Sequence, residues 1–205
     1  MRDIMEWERT ADEETLEKAA KALQSKNIEV IIAENGNEAK EKLLSMLKEG
    51  STVMEVSSTT LKQIGAHEAI NESGRFVPLN KEVSKENDPA KRAELRRALP
   101  SPEYALGSVH AVTEDGQMLI ASASGSQMPS YSFTAKKVIL AVGTQKIVKN
   151  VDMGIKRIYE HSLPMETERM MKAYGIPSSV NQILMMEKGI PGRITVIFIK
   201  ERLGF

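Results

Sequence analysis

Residues 137–146 read KVILAVGTQK. Val138–Val142 is an unbroken run of apolar, mostly β-branched residues, and such a run lacks the apolar–polar alternation of a strand that faces water on one side. It predicts a strand buried on both faces. Gly143–Thr144–Gln145–Lys146 then interrupts it with a small residue, two polar residues and a cation. Ile28–Ala33 (IEVIIA), Thr52–Val56 (TVMEV) and Ile194–Ile199 (ITVIFI) have the same character, and Arg75–Leu79 is a further short strand by its composition.

Helical spacing fills the gaps between these runs. Leu16, Ala19, Ala20 and Leu23 recur at helical intervals behind Thr10 and Glu13, which offer a capping box. Ala39, Leu43, Met46 and Leu47 mark a second helix that Gly50 follows. Ser57–Thr60 opens a third helix carrying Leu61, Ile64 and Ala69. Asn80–Asp88 is polar and reads as a surface loop, Asp88–Pro89 caps and starts a helix that Pro100 ends, and Asp152 caps another with Ile155, Ile158 and Tyr159. Pro164 opens the last, which holds Met170, Met171 and Tyr174 before Gly175. Between them, Gly107–Thr113 and Gln117–Ser122 flank Glu114–Asp115–Gly116, the signature of a β-hairpin. The expected fold is therefore α/β in three layers, α/β/α: a mainly parallel open sheet with an inserted antiparallel hairpin. Residues 1–24 are expected to form an N-terminal helical arm and residues 25–205 the domain itself.

Composition bounds the function. The chain has 205 residues, 41% hydrophobic and 27% charged, enough for a substantial core. Twenty-eight Lys and Arg balance 28 Asp and Glu, so no net positive field draws it to nucleic acid. There is no cysteine, which excludes thiolate metal sites, iron–sulfur ligation and cysteine nucleophiles in this chain. The apolar runs are far shorter than a membrane span, and the start (MRDIMEWE) lacks a signal-peptide core; the expected setting is the cytoplasm.

In a parallel sheet ligands lie beyond the carboxyl ends of the strands, which directs attention to three segments that follow strands. Ser57, Ser58, Thr59 and Thr60 present four hydroxyls; Ser124, Gly125, Ser126 and Gln127 combine a glycine with three hydrogen-bonding side chains; Gly143, Thr144, Gln145 and Lys146 add the cation. Together they suit a small anion, phosphate or carboxylate, although hydroxyl residues also cap helices and turns everywhere. Glu114 and Asp115, at the hairpin tip, are candidate general bases, or a plain solvated turn. His67, His110 and His161 are not spaced as a metal triad and read as structural. Lys91, Arg92, Arg96 and Arg97, interleaved with Glu94, read as a solvated helix face, and Trp7 as an anchor for the arm.

Several stretches resemble the LUD-domain family, named for lactate utilisation: TVMEVSSTTL at 52–61, AVTEDG at 111–116, SGSQ at 124–127, KKVILAV at 136–142, GTQKIV at 143–148 and RITVIFIKERLGF at 193–205. The resemblance runs from about Ser25 to Phe205. It implies membership of a fold group that includes ribose-phosphate isomerase, glucosamine-phosphate deaminase and CoA transferases, and a pocket for a phosphorylated or carboxylated metabolite. It departs from the family in two ways: Ser57–Ser58–Thr59 stands where Gly-Gly-Ser is frequent, and Tyr174–Pro191 has no cysteine cluster. The resemblance implies a non-redox component of lactate or organic-acid utilisation that works with iron–sulfur oxidase subunits, with no membrane partner and a homodimer compatible with the fold group. The cofactor is left open. A sugar-phosphate isomerase or acyl/CoA transferase using Glu114 or Asp115 with Lys146, and a non-catalytic scaffold, are the alternatives.

Overall fold

The structure is a computed structural model describing residues 4–99 and 101–205. Helix α1 (Glu13–Ser25) starts at Asp12, whose side chain accepts a hydrogen bond from the Thr15 N–H at 2.9 Å. The Thr10–Glu13 capping box is thus replaced by a cap one residue before the helix. Strand β1 (Ile28–Ala33), helix α2 (Gly36–Ser45) and strand β2 (Thr52–Glu55) follow. The third helix is two short pieces, α3 (Thr59–Gln63) and α4 (Ala66–Glu72), divided by Gly65. After β3 (Val77–Pro78), the segment expected as a loop contains helix α5 (Asn80–Lys85); its one buried apolar residue, Val83, gives too little periodicity to read. Helix α6 (Pro89–Ala98) is capped by Asp88 as expected, while the expected stop at Pro100 lies outside the described residues.

The stretch Gly107–Thr113 is not one strand. It divides into the end of β4 (Tyr104–Gly107) and β5 (Ala111–Thr113), and β5 pairs antiparallel with β6 (Met118–Ser122) around the Asp115–Gly116 turn. Strand β7 (Lys137–Gly143), the short β8 (Ile147–Val148) and helix α7 (Val151–Arg157) come next. Asn150, not Asp152, caps α7, its side chain accepting from the Met153 N–H at 3.0 Å; Asp152 lies in the first turn. Helix α8 (Leu163–Tyr174) has Pro164 in its first turn and Gly175 at its end. Strand β9 (Gln182–Met186), which has little polar alternation to betray it, precedes β10 (Ile194–Ile199).

Six strands form a wholly parallel sheet in the order β1-β10-β7-β4-β2-β3. The continuous apolar strands are explained by its two buried faces. From β7 and β10, Val138, Leu140, Val142, Val196 and Phe198 enter a core shared with α1 and the hairpin. Their alternates Ile139, Ala141, Ile197 and Ile199 enter a core under α2, α3 and α4. The hairpin belongs to a second sheet, ordered β8-β5-β6-β9, which lies on the α1 side. Its other face packs Ala111, Leu119, Ala121 and Val148 against Ile158 and Trp7. Leu16, Ala19, Ala20 and Leu23 of α1 are buried in the main core, so this helix completes one layer of the sandwich. Among the described residues no helix is long and apolar enough to cross a membrane.

Candidate functional site

The parallel sheet delivers three chain segments to one edge. Val56 and Ser57 follow β2, Ser108 follows β4, and Thr144–Lys146 form a tight helical turn directly after β7. Lys146 is 2% exposed. Its Nζ donates to Thr60 Oγ1 at 3.1 Å and to Ser108 Oγ at 3.0 Å, so one amine bridges the hydroxyls of two other strand ends. It makes no ion pair with a carboxylate among the described residues. Burial pushes its pKa well below the ordinary lysine value, and the charge of Arg157 adds to the effect.

The amine lines a narrow pocket of about 130 Å³ with Ser57, Ser58, Thr59, Ser108 and Tyr131. Tyr131 reaches it because Gly107 has no side chain: a Cβ there would overlap the tyrosine hydroxyl. The phenol is buried, and burial followed by the charge of Glu55 raises its pKa, against a weaker pull from the Ser108 backbone; it stays protonated. His110 forms part of the wall. Its Nδ1 accepts the Ala121 N–H at 3.1 Å, and burial, then Lys146 and Arg157, push its pKa down to about 3. Behind it Arg157 donates to the His110 carbonyl at 2.6 Å and to Ser162 Oγ at 3.2 Å, and burial lowers its pKa to about 10. Among the described residues neither Lys146 nor Arg157 forms an ion pair with a carboxylate, and Glu166, which lines the same pocket, is paired with Arg169.

The narrow pocket shares Ser57, His110, Gln127 and Glu166 with a wider cleft of about 690 Å³. Glu55, the last residue of β2, is buried at its wall. Its Oε2 accepts from Asn71 Nδ2 at 2.8 Å and meets His67 Nδ1 at 2.7 Å, while its Oε1 is buried without a partner. Glu166 is held by Arg169 through two bonds of 2.7 and 2.6 Å. Arg92 and Arg96 of α6 line the outer part, so that face of α6 is turned to the cleft and not only to solvent. Among the described residues no three histidines and carboxylates are grouped to hold a metal ion.

Sequence-predicted site residues divide into two sets. Ser57, Ser58, Thr59, Thr60 and Lys146 come together at the narrow pocket, and Ser124, Ser126 and Gln127 line the wider cleft. Ser58 is also the cap of α3, its Oγ accepting the Leu61 N–H at 3.3 Å. Gly125, with φ of 69°, shapes the loop without lining it. Gly143, Thr144 and Gln145 are buried behind the cleft. Gln145 Nε2 donates to the Leu203 carbonyl at 2.8 Å, and the tail held in this way lays Gly204 against Thr60 and Lys146.

Glu114 and Asp115 are elsewhere. The hairpin tip rests on α1, where Gly116 lies against the Ala22 backbone and Glu114 forms an ion pair with Lys18 at 2.7 Å. Neither carboxylate lines the cleft. Tyr131, Ser108, Glu55, His67 and Asn71, which do contribute, escaped the sequence reading. Only Glu55 left a local signal, as a carboxylate inside an apolar strand. His67, read as purely structural, is the partner of that carboxylate.

A family model for the LUD domain matches residues 16–199. The chain belongs to the LUD-domain family. Comparison with curated proteins finds no match. Among solved structures the LUD chain is similar to the crystal structure of a DUF162 family protein from Deinococcus radiodurans, with a TM-score of 0.56, 10% identity, and coverage of 91% of this chain and 96% of that one. At that identity the likeness concerns the fold.

Proposed function

We propose that this LUD protein binds a small metabolite carrying a carboxylate or phosphate, held by Lys146 and the hydroxyls of Ser57–Thr60 and Ser108, and that it serves as a non-redox component of lactate or related organic-acid utilisation. The observation that carries this reading is the buried Lys146 amine, bonded among the described residues to two hydroxyls beside a pocket that shares part of its lining with the cleft. A buried cation without a counter-charge is costly. An anionic ligand supplies the missing charge, so its binding restores the proton to the amine. The family's association with lactate utilisation supports the setting, and on this reading a chain without cysteine leaves electron transfer to iron–sulfur partner subunits. The alternative of an isomerase or transferase with Glu114 or Asp115 as its base loses support from the position of the hairpin tip.

A thermal-shift series with lactate, inorganic phosphate, ribose 5-phosphate and coenzyme A tests this. A ligand at a hundredfold excess over its Kd stabilises the native state by about 2.7 kcal/mol. At least one of these anions is expected to raise Tm, the shift disappearing in Lys146→Met and persisting in Glu114→Gln. No shift with any of them, or an undiminished shift in Lys146→Met, overturns the proposal.

A further inference from the structure

Resting on that reading of the anion site, we propose that Lys146 is a nucleophile that forms a reversible imine with the carbonyl carbon of a small 2-oxo acid seated in the narrow pocket. Three features of the geometry point this way. Lys146 is buried yet among the residues that line the narrow pocket, and its Nζ lies beside Thr60 and Ser108, which line it too, so the pocket holds a ligand of a few heavy atoms next to the amine. Its surroundings oppose a resident charge: it is buried, and the charged group that acts on it is the Arg157 guanidinium. An amine held in this way keeps its lone pair, which is the requirement for attack on a carbonyl. Finally, the donors around it are hydroxyls. Thr60 and Ser108 contact the nitrogen directly, and the phenol of Tyr131, kept protonated by burial and the charge of Glu55, lines the same pocket.

The step balances without any redox partner. The Nζ lone pair adds to the carbonyl carbon while the C=O π electrons move to oxygen, which takes a proton from a hydroxyl of the pocket as that hydroxyl recovers one from the attacking nitrogen, giving a neutral carbinolamine. Loss of one N–H proton and of the hydroxyl as water forms C=N, and protonation leaves an iminium. That cation has no ion-pair partner of its own among the described residues, since Glu166, which lines the same pocket, is already paired with Arg169. The carboxylate of a 2-oxo acid, one bond from the reacting carbon, supplies the counter-charge at the point where it develops, so the pocket favours a carbonyl next to an anion over a neutral ketone.

Reductive trapping tests this on the full chain. Wild type and Lys146→Met are incubated at pH 7.4 with pyruvate or glyoxylate and cyanoborohydride, with acetone as the neutral carbonyl and lactate as the anion without a carbonyl, followed by peptide mapping. Only about a thousandth of an ordinary surface lysine is neutral at this pH, so occupancy at Lys146 is expected to exceed that of surface lysines by on the order of tenfold or more. Acetone is expected to modify it far less than pyruvate. If lactate and pyruvate both raise Tm but neither oxo acid is trapped on Lys146 above the surface background, the imine is overturned and the anion site stands. If none of these compounds raises Tm and nothing is trapped at Lys146, both proposals fall.

Discussion

Replacing Lys146 by methionine is expected to stabilise the unliganded protein. The amine is buried and among the described residues has no carboxylate partner. Each unit by which a folded-state lysine pKa falls below its unfolded value costs about 1.4 kcal/mol, and documented buried lysines are lowered by several units. Against this stand two hydrogen bonds to hydroxyls, worth about 1 kcal/mol each. Methionine fills a similar volume, and the orphaned hydroxyls retain neighbours: Thr60 Oγ1 lies 3.4 Å from the Leu203 carbonyl and 3.4 Å from Ser108 Oγ. The net gain is about 1–3 kcal/mol, or roughly 2–4 °C in Tm per kcal/mol for a chain of this size. The pH dependence makes the origin visible. With its pKa lowered on folding, the lysine binds a proton only in the unfolded chain over the window between the lowered value and the ordinary lysine value. Wild-type stability therefore rises with pH across that window. The advantage of Lys146→Met is greatest at the low-pH end and shrinks by up to about 1.4 kcal/mol per pH unit as the ordinary value is approached. Chemical denaturation from pH 6 to pH 10 measures both. A variant less stable than wild type by about 2 kcal/mol or more, with a pH-independent difference, would show the amine to be a charged structural cross-link and not a group waiting for a ligand.

The other expectations concern the surroundings of that amine. Gly107→Ala places a methyl group on the Tyr131 hydroxyl; it is expected to cost about 1–3 kcal/mol through overpacking and to weaken anion binding by displacing the pocket wall, read by urea unfolding and the ligand-induced Tm shift. His110 and His161, lowered from 6.5 to about 3 and about 4, remain neutral in the fold while the unfolded chain protonates near 6.5. The stability they contribute is complete above pH 6.5 and is lost as pH falls toward 3, by at most about 1.4 kcal/mol per unit for each group. Urea midpoints between pH 7 and pH 4 are expected to fall less steeply in His110→Gln; an unchanged slope would assign the acid sensitivity to other groups. Because a non-carbonyl anion must restore the proton to Lys146, phosphate or lactate affinity is expected to fall with rising pH by up to tenfold per unit. Calorimetry in buffers of different ionisation enthalpy should reveal the proton uptake, and affinity independent of pH, with no proton taken up, would contradict it.

Legibility in the sequence follows the range of the interactions involved. The sheet was readable because a parallel strand covered on both faces is an uninterrupted apolar run, and Val138–Val142 and Ile194–Ile199 are such runs. Ser57–Thr60 and Lys146 were readable because each directly follows a strand, and the parallel arrangement sends those strand ends to one edge. Glu114 shows the opposite case. Asp115–Gly116 encodes a turn between neighbours in the chain, and the turn forms, but nothing local states that its strands join the second sheet and that its tip rests on α1. Ser108 and Tyr131 enter the site through contacts across the chain, with Lys146 and Gly107 respectively. The replacement of Asp152 by Asn150 and of Thr10 by Asp12 as caps reflects the one- or two-residue uncertainty of helix starts.

A crystal of the protein soaked in selenate, with anomalous diffraction collected at the selenium edge, tests the anion site without choosing a metabolite. Selenate carries the charge and tetrahedral oxygens of phosphate, and its heavy atom reports position directly. The expected result is a peak in the narrow pocket, its oxygens within hydrogen-bond distance of Lys146 Nζ and the hydroxyls of the Ser57–Thr60 turn, and absent from crystals of Lys146→Met. Peaks confined to the outer arginines of α6, or an empty pocket at concentrations that fill other sites, would contradict the assignment of this edge of the sheet as the place where the protein holds its ligand.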